Sequence, residues 1–284
     1  ARNELTGARQ SGSPPHDAPF FCHQRCVSLD SVPLDHGANS RWRLTYGFRR
    51  AVDFDRGDGD GQDFLSVFHD SRGARALLVV VDGVSKSYLP ALAARAVGQE
   101  VMRVLRGIDH PDDLSVRRAV IDALSSPGFL EGVRRDEVEA GKAARRGVSA
   151  DFADVEDAAE RAGSEAVFVA AICDLHRREV TLIGLGDAYA RLTLGSGVTV
   201  TWSGLTLIER AARWSSQRGV DGEVLVERCS DVSALVLHSD VLAPHRPFDA
   251  IFKSRPELAE ALDRDARADD VSFAWLGPEI GFVG

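Results

Sequence analysis

Residues 76–90, with the sequence ALLVVVDGVSKSYLP, constrain the fold more than any other part of the chain. The first six, residues 76–81, form an unbroken apolar run of the length expected for a β-strand buried on both faces. The run ends in Asp82-Gly83, where a carboxylate at the mouth of a buried strand needs an ionic partner or a metal ion. From Leu89 the apolar residues recur at helical spacing. The stretch therefore predicts a strand, a tight turn and a helix, although an ordinary surface turn has the same short pattern.

Length, charge and cysteine usage narrow the class of protein. A chain of 284 residues with 44% hydrophobic content suits one large globular domain or two small ones. A net charge of −9 argues against a nucleic-acid partner. No apolar run is long enough to span a bilayer, and the polar N-terminal residues lack the apolar core of a secretory signal. We therefore expect no membrane partner and a cytoplasmic protein.

The four cysteines do not form the pattern of a disulfide framework. Cys173 and Cys229 lie in apolar, strand-like surroundings, which is typical of small core residues. Cys22-His23 and Cys26 resemble half of a zinc site, but no second ligand pair follows at zinc spacing. A reducing cytoplasm is the compartment that this usage favours.

The order of patterns predicts one α/β domain, an α+β sandwich, over residues 41–284. Residues 1–40 are rich in Gly, Pro, Ser, His and Asp and predict a mostly irregular lead-in that Phe20 and Phe21 pin to the core. Residues 131–162 are charged and Ala-rich, which predicts a solvated helical insertion. Apolar alternation or short apolar runs predict strands at 42–48 (half-buried), 64–68, 76–81, 166–175, 179–185, 189–194, 198–202, 223–227, 234–239 and 271–276. Helical spacing predicts helices at 89–106, 111–125 (ended by Pro127-Gly128), 206–214 and 256–264.

Four acidic residues fall at strand ends or in adjoining turns: Asp63, Asp82, Asp240 and Asp269. Carboxylates that converge at the end of a sheet repel one another unless a hard cation neutralises them. Oxygen ligands without a His–Cys set favour magnesium or manganese over zinc. The pattern therefore indicates a site for Mg²⁺ or Mn²⁺, and paired ions of this kind polarise phosphoryl groups and activate water.

Six short motifs occur in the order seen in a known enzyme family. They are Gly61-Gln62-Asp63, Val80-Val81-Asp82-Gly83, Gly163-Ser164-Glu165-Ala166, Gly186-Asp187-Ala188-Tyr189, Leu237-His238-Ser239-Asp240 and Asp269-Asp270-Val271-Ser272. Because these motifs occur in the family's order over residues 42–276, the chain resembles the bacterial metal-dependent protein phosphatases of the protein phosphatase 2C (PPM) family. The resemblance implies two packed antiparallel β-sheets flanked by helices.

The resemblance also implies a set of metal ligands. Asp82 would bridge two Mn²⁺ or Mg²⁺ ions, and Gly83 would offer its carbonyl oxygen to one of them. Asp240 and Asp269 would hold the other ion. Asp63, beside Gln62, would orient metal-bound water, and Asp187 matches a position that helps to bind a weaker third ion.

The reaction implied is hydrolysis of phosphoserine and phosphothreonine in proteins. A metal-bridging hydroxide would attack phosphorus in line, so the absence of a Cys or Ser nucleophile motif fits. The implied partners are a phosphoprotein substrate and a Ser/Thr kinase acting on the same substrate.

The chain departs from the family pattern close to the expected site. Val84-Ser85-Lys86 replaces the usual glycines and histidine after the Asp-Gly motif, so Lys86 becomes a candidate for phosphate contact. The phosphate-binding arginine expected before the first motif has Arg56 as its nearest candidate. Glu165 is unusual at its position, and Val241 stands where a glycine is common. His238 lies two residues before Asp240 and is either a proton donor or a buried strand-end histidine.

Two alternative functions remain open from the sequence. The first is a phosphatase-fold protein that binds or regulates a partner with little or no catalysis, which the complete carboxylate set disfavours. The second is a calcium-binding module built on the Asp/Gly-rich residues 53–61 (DFDRGDGDG), which lack the closing Glu of an EF-hand loop.

Overall fold

The structure is a computed structural model, and it describes residues 20–22, 30–35, 41–49, 61–70, 74–109, 111–144, 160–203, 212–239 and 270–278. Within these residues the chain forms fourteen strands and three helices. The strands are β1 (Phe20–Cys22), β2 (Asp30–Asp35), β3 (Arg41–Arg49), β4 (Phe64–His69), β5 (Arg75–Gly83), β6 (Glu165–Asp174), β7 (Glu179–Leu185), β8 (Tyr189–Leu194), β9 (Thr199–Ser203), β10 (Arg213–Ser215), β11 (Gly219–Asp221), β12 (Leu225–Cys229), β13 (Val232–His238) and β14 (Val271–Pro278). The helices are α1 (Pro90–Arg106), α2 (Asp113–Leu124) and α3 (Pro127–Ala144).

The strands form two antiparallel sheets. The first sheet runs in the order β1-β4-β5-β6-β10-β11, and β7 pairs with β6 beyond the end of β10 and carries β12 on its other side. The second sheet runs in the order β2-β3-β14-β13-β8-β9. The predicted fold class, an α+β sandwich of two packed antiparallel sheets with flanking helices, is confirmed.

Strand β5 is buried on both faces, as its apolar run predicts. Leu77, Val79 and Val81 pack among the helices, whereas Leu78 and Val80 pack against the second sheet. Because side chains alternate along a strand, an uninterrupted apolar run is the only pattern that satisfies both layers. The core between the two sheets also contains Leu44 and Tyr46 of β3. Leu192 of β8, Leu237 of β13 and Leu276 of β14 belong to the same core.

Helix α1 covers the outer face of the first sheet. Pro90 occupies its first turn, where the missing N–H is not needed. Its buried residues recur at helical spacing: Leu92, Ala93, Ala94, Val97, Gly98, Val101, Met102 and Leu105. Asp112 caps α2 by accepting a hydrogen bond from the Ser115 backbone N–H at 2.9 Å.

Several sequence predictions need correction. Residues 20–22 and 30–35 are strands inside the expected irregular lead-in, because edge pairing with β4 and β3 supplies hydrogen bonds that local composition does not reveal. Strand β3 is buried on both faces over residues 44–48, although its alternation predicts a half-buried strand, because alternation shows which face is apolar but not what packs on the polar one. Residues 213–215 form β10 instead of the end of a helix, because all three pair with β11 and the last two also pair with β6. The predicted helix at 256–264 and the calcium-loop candidate at 53–60 lie outside the described residues.

The charged segment after residue 130 is helical as far as Ala144 within α3, and residues 145–159 lie outside the described part. The helix is less solvated than its composition predicts. Val133 and Glu137 are buried at 4% exposure each, and Arg134 donates hydrogen bonds to the backbone oxygens of Ser216 and Gln217. No helix in the described part of the chain has the length and apolar character needed to cross a membrane.

Candidate active site

Carboxylates from separate motifs meet at one end of the sandwich. Strands β4 and β5 are antiparallel with Phe64 opposite Val81, so Asp63 at the start of β4 lies beside Asp82 at the end of β5. Asp270 immediately precedes β14 and reaches the same place. We call this the carboxylate end and define it by Asp63, Asp82 and Asp270.

Asp63 has the most constrained environment in this group. Its residue is 2% exposed, and its Oδ2 accepts a hydrogen bond from the Ser272 hydroxyl at 2.7 Å. Burial, followed by the neighbouring charges of Asp82 and Asp270, raises the pKa of Asp63 well above its usual range, and hydrogen bonds from Ser272 and Ser239 oppose this rise. A carboxyl group in such surroundings is stable when a proton or a cation neutralises it.

Asp270 organises the turn that presents Asp63. Its Oδ2 accepts hydrogen bonds from the backbone N–H of Gln62 and, at 3.3 Å, from that of Asp63. Gly61 is required beside it, because a Cβ atom there would lie 2.6 Å from the ring of Phe48 and equally close to the Asp270 carboxylate. Asp270 was quoted in the closing motif but was not predicted as a site residue. The sequence signal that could have identified Asp270 is its position in the closing motif. That motif is far from Gly61-Gln62-Asp63 in sequence, and the fold brings the two together.

Gly83 brings three chain segments together. Its N–H donates to the Gln62 carbonyl at 3.1 Å, and a Cβ atom at this position would lie 2.7 Å from the same oxygen and collide with the backbone of Pro90. Beyond it, the Val84 N–H donates to the Glu165 carbonyl at 3.0 Å, and the Ser87 N–H donates to the Val84 carbonyl at 2.8 Å. The resulting turn exposes the side chain of Lys86.

Of the eight predicted site residues, five lie in the described part of the chain and three lie outside it. Asp63, Asp82 and Gly83 lie close together, Lys86 lies on the adjoining turn, and Asp187 lies exposed in the turn between β7 and β8. Arg56, Asp240 and Asp269 lie outside the described residues. In sequence, Asp240 follows Ser239 and Asp269 precedes Asp270.

His238 is built into the strand. Its residue is 1% exposed, its ring lies 5.7 Å from that of Tyr189 in a stacked arrangement, and its Nδ1 lies 2.8 Å from the Ser239 carbonyl oxygen. Burial lowers the pKa of His238 to about 4. Because Leu235 and Leu237 of β13 face the core, strand alternation puts His238 on the opposite face of the second sheet. These observations favour a structural role over proton donation.

Comparison with known proteins gives no match in sequence but clear matches in structure. No protein-family model and no curated protein matches the chain. The magnesium complex of RsbX superposes with a TM-score of 0.54 and 12% identity, covering 89% of this chain and 100% of that one. Serine/threonine phosphatase Stp1 from Staphylococcus aureus matches with a TM-score of 0.50 and 13% identity, covering 89% and 96%. The catalytic domain of serine/threonine protein phosphatase PstP with two manganese ions matches with a TM-score of 0.50 and 17% identity, covering 83% and 98%.

The chain has the protein phosphatase 2C fold. The predicted resemblance is confirmed at this level, since the matches run over almost the whole length of those catalytic domains. At 12–17% identity, the likeness establishes the architecture and leaves the chemistry to be argued from this chain's own residues.

The described residues of the site fit divalent cations in chemical type. Among the residues that the structure describes, no group of three or more His, Cys, Asp or Glu side chains is arranged to hold a metal ion. Two of the predicted ligands, Asp240 and Asp269, lie outside the described residues. Among the described ones, the crowding of carboxylates that raises the pKa of Asp63 is the electrostatic condition that a hard cation relieves, and the donors are all oxygens.

Proposed function

We propose that this protein is a metal-dependent serine/threonine phosphoprotein phosphatase. The observation that carries the proposal is the convergence of Asp63, Asp82 and Asp270 at one end of a protein phosphatase 2C fold. Keeping several carboxylates together in a buried place costs stability, and a site that binds cations gives this arrangement a use.

In this proposal Asp82 and the Gly83 carbonyl, together with Asp240 and Asp269, hold two Mn²⁺ or Mg²⁺ ions, and Asp187 contributes to a weaker third. The ions, when bound, supply Lewis-acid activation of water and neutralise the charge of the phosphoryl group. Asp63, which Ser272 holds by a hydrogen bond, orients the attacking water with its carboxyl group. Asp270 holds the turn that carries Asp63, and Lys86 and Arg56 bind the substrate.

The proposed substrates are phosphoproteins, with a Ser/Thr kinase as the opposing enzyme in the same cell. The compartment we propose is the bacterial cytoplasm. The two cysteines whose side chains the structure describes, Cys173 and Cys229, are both free thiols, which fits a reducing environment.

The test is hydrolysis of p-nitrophenyl phosphate and of a phosphothreonine peptide, with Mn²⁺ or with EDTA, by the wild type and by Asp82→Asn. We expect activity that requires Mn²⁺ and falls at least about 100-fold in the variant, because loss of a carboxylate that would hold the metal ions would remove electrostatic stabilisation of the transition state. Asp122→Asn, on an exposed part of α2, is the matched control and should retain full activity.

Folded, Mn²⁺-treated wild type without activity on either substrate would contradict the enzyme proposal and favour the regulatory binding protein. A stability gain with Ca²⁺ that Asp82→Asn leaves untouched would instead direct attention to residues 53–61.

A further inference from the structure

Four residues lie in one row across the first sheet at the carboxylate end. Asp63 lies beside Asp82, and Asp82 pairs directly with Val167 of β6. Strand β10 pairs with β6 through Trp214 opposite Ala166, so Arg213 falls in line with Val167. The row therefore reads Asp63, Asp82, Val167, Arg213 over four adjacent strands.

All four side chains belong to the same face of the sheet. Val80 and Val169, two residues from Asp82 and Val167, pack against the second sheet. Trp214 packs among the helices on the other face, so its neighbour Arg213 faces the same way as Asp82. Adjacent strands lie about 4.8 Å apart, which puts the backbone of Arg213 about 10 Å from that of Asp82. A long side chain at that distance can reach a phosphoryl group bound next to Asp82.

The guanidinium of Arg213 is only partly satisfied within the protein. Its Nη1 pairs with Glu165 Oε2 at 2.9 Å, where the two side chains are 33% and 14% exposed. Its Nε is buried, yet it has no hydrogen-bond acceptor in the part of the chain that the structure describes. A buried donor without an acceptor is costly. The Nε of Arg117 is in the same state, so Arg213 differs by its place in the row beside Asp82. The Nε side of a guanidinium is one of the two forks that bind phosphate oxygens in pairs.

The ion pair is not what fixes β10 in place. Trp214 is fully buried, its indole N–H donates to the Leu124 carbonyl at 2.8 Å, and its ring lies 5.6 Å from that of Phe129. A partly exposed ion pair adds little to such an anchor. Glu165, which is unusual in its motif, instead sets the direction of the Arg213 side chain, and Arg218 lies 3.7 Å from the same carboxylate.

We propose that Arg213 binds the phosphoryl oxygens of the substrate and that Glu165 is the positioning residue that orients its guanidinium. This inference rests on the proposed function, because it assigns the residue that holds the phosphoryl group beside the carboxylates. It gives the chain a phosphate-binding arginine from β10 in addition to the candidate Arg56.

The test measures inorganic phosphate binding by calorimetry in Mg²⁺, and KM and kcat for p-nitrophenyl phosphate. Arg213→Ala should weaken phosphate binding about 10- to 100-fold, the usual loss for a charged hydrogen bond, and raise KM by a similar factor. Arg213→Lys, which keeps the charge but loses the fork, should lie between this variant and the wild type. Glu165→Gln should weaken binding less than Arg213→Ala and change KM more than kcat.

Arg228→Ala is the matched control. Arg228 pairs with Glu179 at 2.5 Å at the opposite end of the same sheet, so its loss should leave phosphate binding unchanged. Phosphate binding equal to that of the wild type in both folded Arg213 variants would overturn the inference while leaving the proposed function intact. Arg213-dependent phosphate binding by a wild type that hydrolyses nothing would support the inference and overturn the proposed function. A folded wild type that neither binds phosphate nor hydrolyses the substrates would overturn both the inference and the proposed function.

Discussion

At the scale of single residues, the surroundings of Asp63 make the ionised form of its carboxyl group unfavourable. Burial and two neighbouring carboxylates raise its pKa, and a folded-state pKa above the unfolded value means that ionisation opposes folding. The contribution of Asp63 to stability is therefore complete below the unfolded pKa of about 3.9 and is lost as the pH rises through the folded value.

Asp63→Asn should stabilise the metal-free protein at neutral pH. The amide carries no charge, and its oxygen can still accept the hydrogen bond from Ser272. We expect a gain on the order of 1 kcal/mol in the free energy of unfolding, and a flatter dependence of that free energy on pH than in the wild type. Urea denaturation in EDTA between pH 5 and pH 8 measures both.

Exposed Asp122 supplies the control, since Asp122→Asn should change the free energy of unfolding by less than about 0.5 kcal/mol. Lower stability of Asp63→Asn at every pH would contradict this prediction. It would show that the hydrogen bonds from Ser272 and Ser239 are worth more to the charged carboxylate than its burial and its repulsion from Asp82 and Asp270 cost.

At the scale of elements, the contact between α1 and the first sheet supports the site from behind. Gly98 of α1 faces Phe64 and Val81, the residues next to Asp63 and Asp82. A Cβ atom at Gly98 would lie 2.7 Å from Phe64 Cε1, in addition to a closer clash with the same ring, and 3.1 Å from Val81 Cγ2. The helix therefore approaches the sheet as closely as a glycine allows.

Gly98→Ala should destabilise the protein by about 1–3 kcal/mol, because overpacking exceeds the gain in helix propensity. Gly132→Ala in α3 is the matched control. Apart from its two chain neighbours and the backbone of its own helix, no atom of the protein lies within 4 Å of the added Cβ, so Gly132→Ala should be neutral or stabilising by up to about 1 kcal/mol. Thermal denaturation of the two variants measures the difference. Equal melting temperatures would show that α1 can move away from the first sheet at little cost in stability.

Prediction from sequence succeeded for elements whose local pattern carries the constraint. The bounds of β7 and β8 agree with the prediction to the residue, and α1 differs by one residue, because apolar periodicity and Pro90 mark them. It failed for β2 and β10, whose strand state depends on pairing with β3 and β6. It also missed that Pro127 opens α3 as well as ending the preceding helix, since proline is compatible with both positions.

At the scale of the whole molecule, the carboxylate end exists only when both sheets are assembled. Asp63 and Asp82 come from the first sheet, whereas Ser239, Asp270 and Ser272 come from the second. An unfolded chain does not bring these segments together, so cations that bind the site bind the folded protein selectively.

Saturating Mn²⁺ should therefore raise the melting temperature of the wild type. The linkage corresponds to about 2.7 kcal/mol at a cation concentration 100 times the dissociation constant. Differential scanning calorimetry of the wild type and of Asp82→Asn, each with Mn²⁺ and with EDTA, measures the shift. The variant should lose most of it, and an equal shift in both proteins would place the cation elsewhere.

The candidate site was predictable only in part. The convergence of Asp63 and Asp82 was predictable, because Asp63 directly precedes one strongly patterned strand and Asp82 directly follows the next. The contribution of Asp270 and the ion pair between Glu165 and Arg213 were not predictable, since they depend on contacts between segments 48 to 208 residues apart. For His238 the sequence left two roles open, a proton donor and a buried strand-end histidine. The structure favours the second, because Leu235 and Leu237 face the core and strand alternation puts the His238 ring on the other face.

The alternation of side chains along β5 also has a consequence for how the protein is handled. A slip of β5 by one residue against β4 would exchange its two faces, and the apolar pattern of the strand does not oppose this exchange, since Ala, Leu and Val occupy both faces. The same slip would move Asp82 away from Asp63. A refolded sample could then show normal secondary structure and compactness while containing molecules without a site. Under the proposed function, the fraction of molecules that bind Mn²⁺ would report the quality of a preparation better than circular dichroism does.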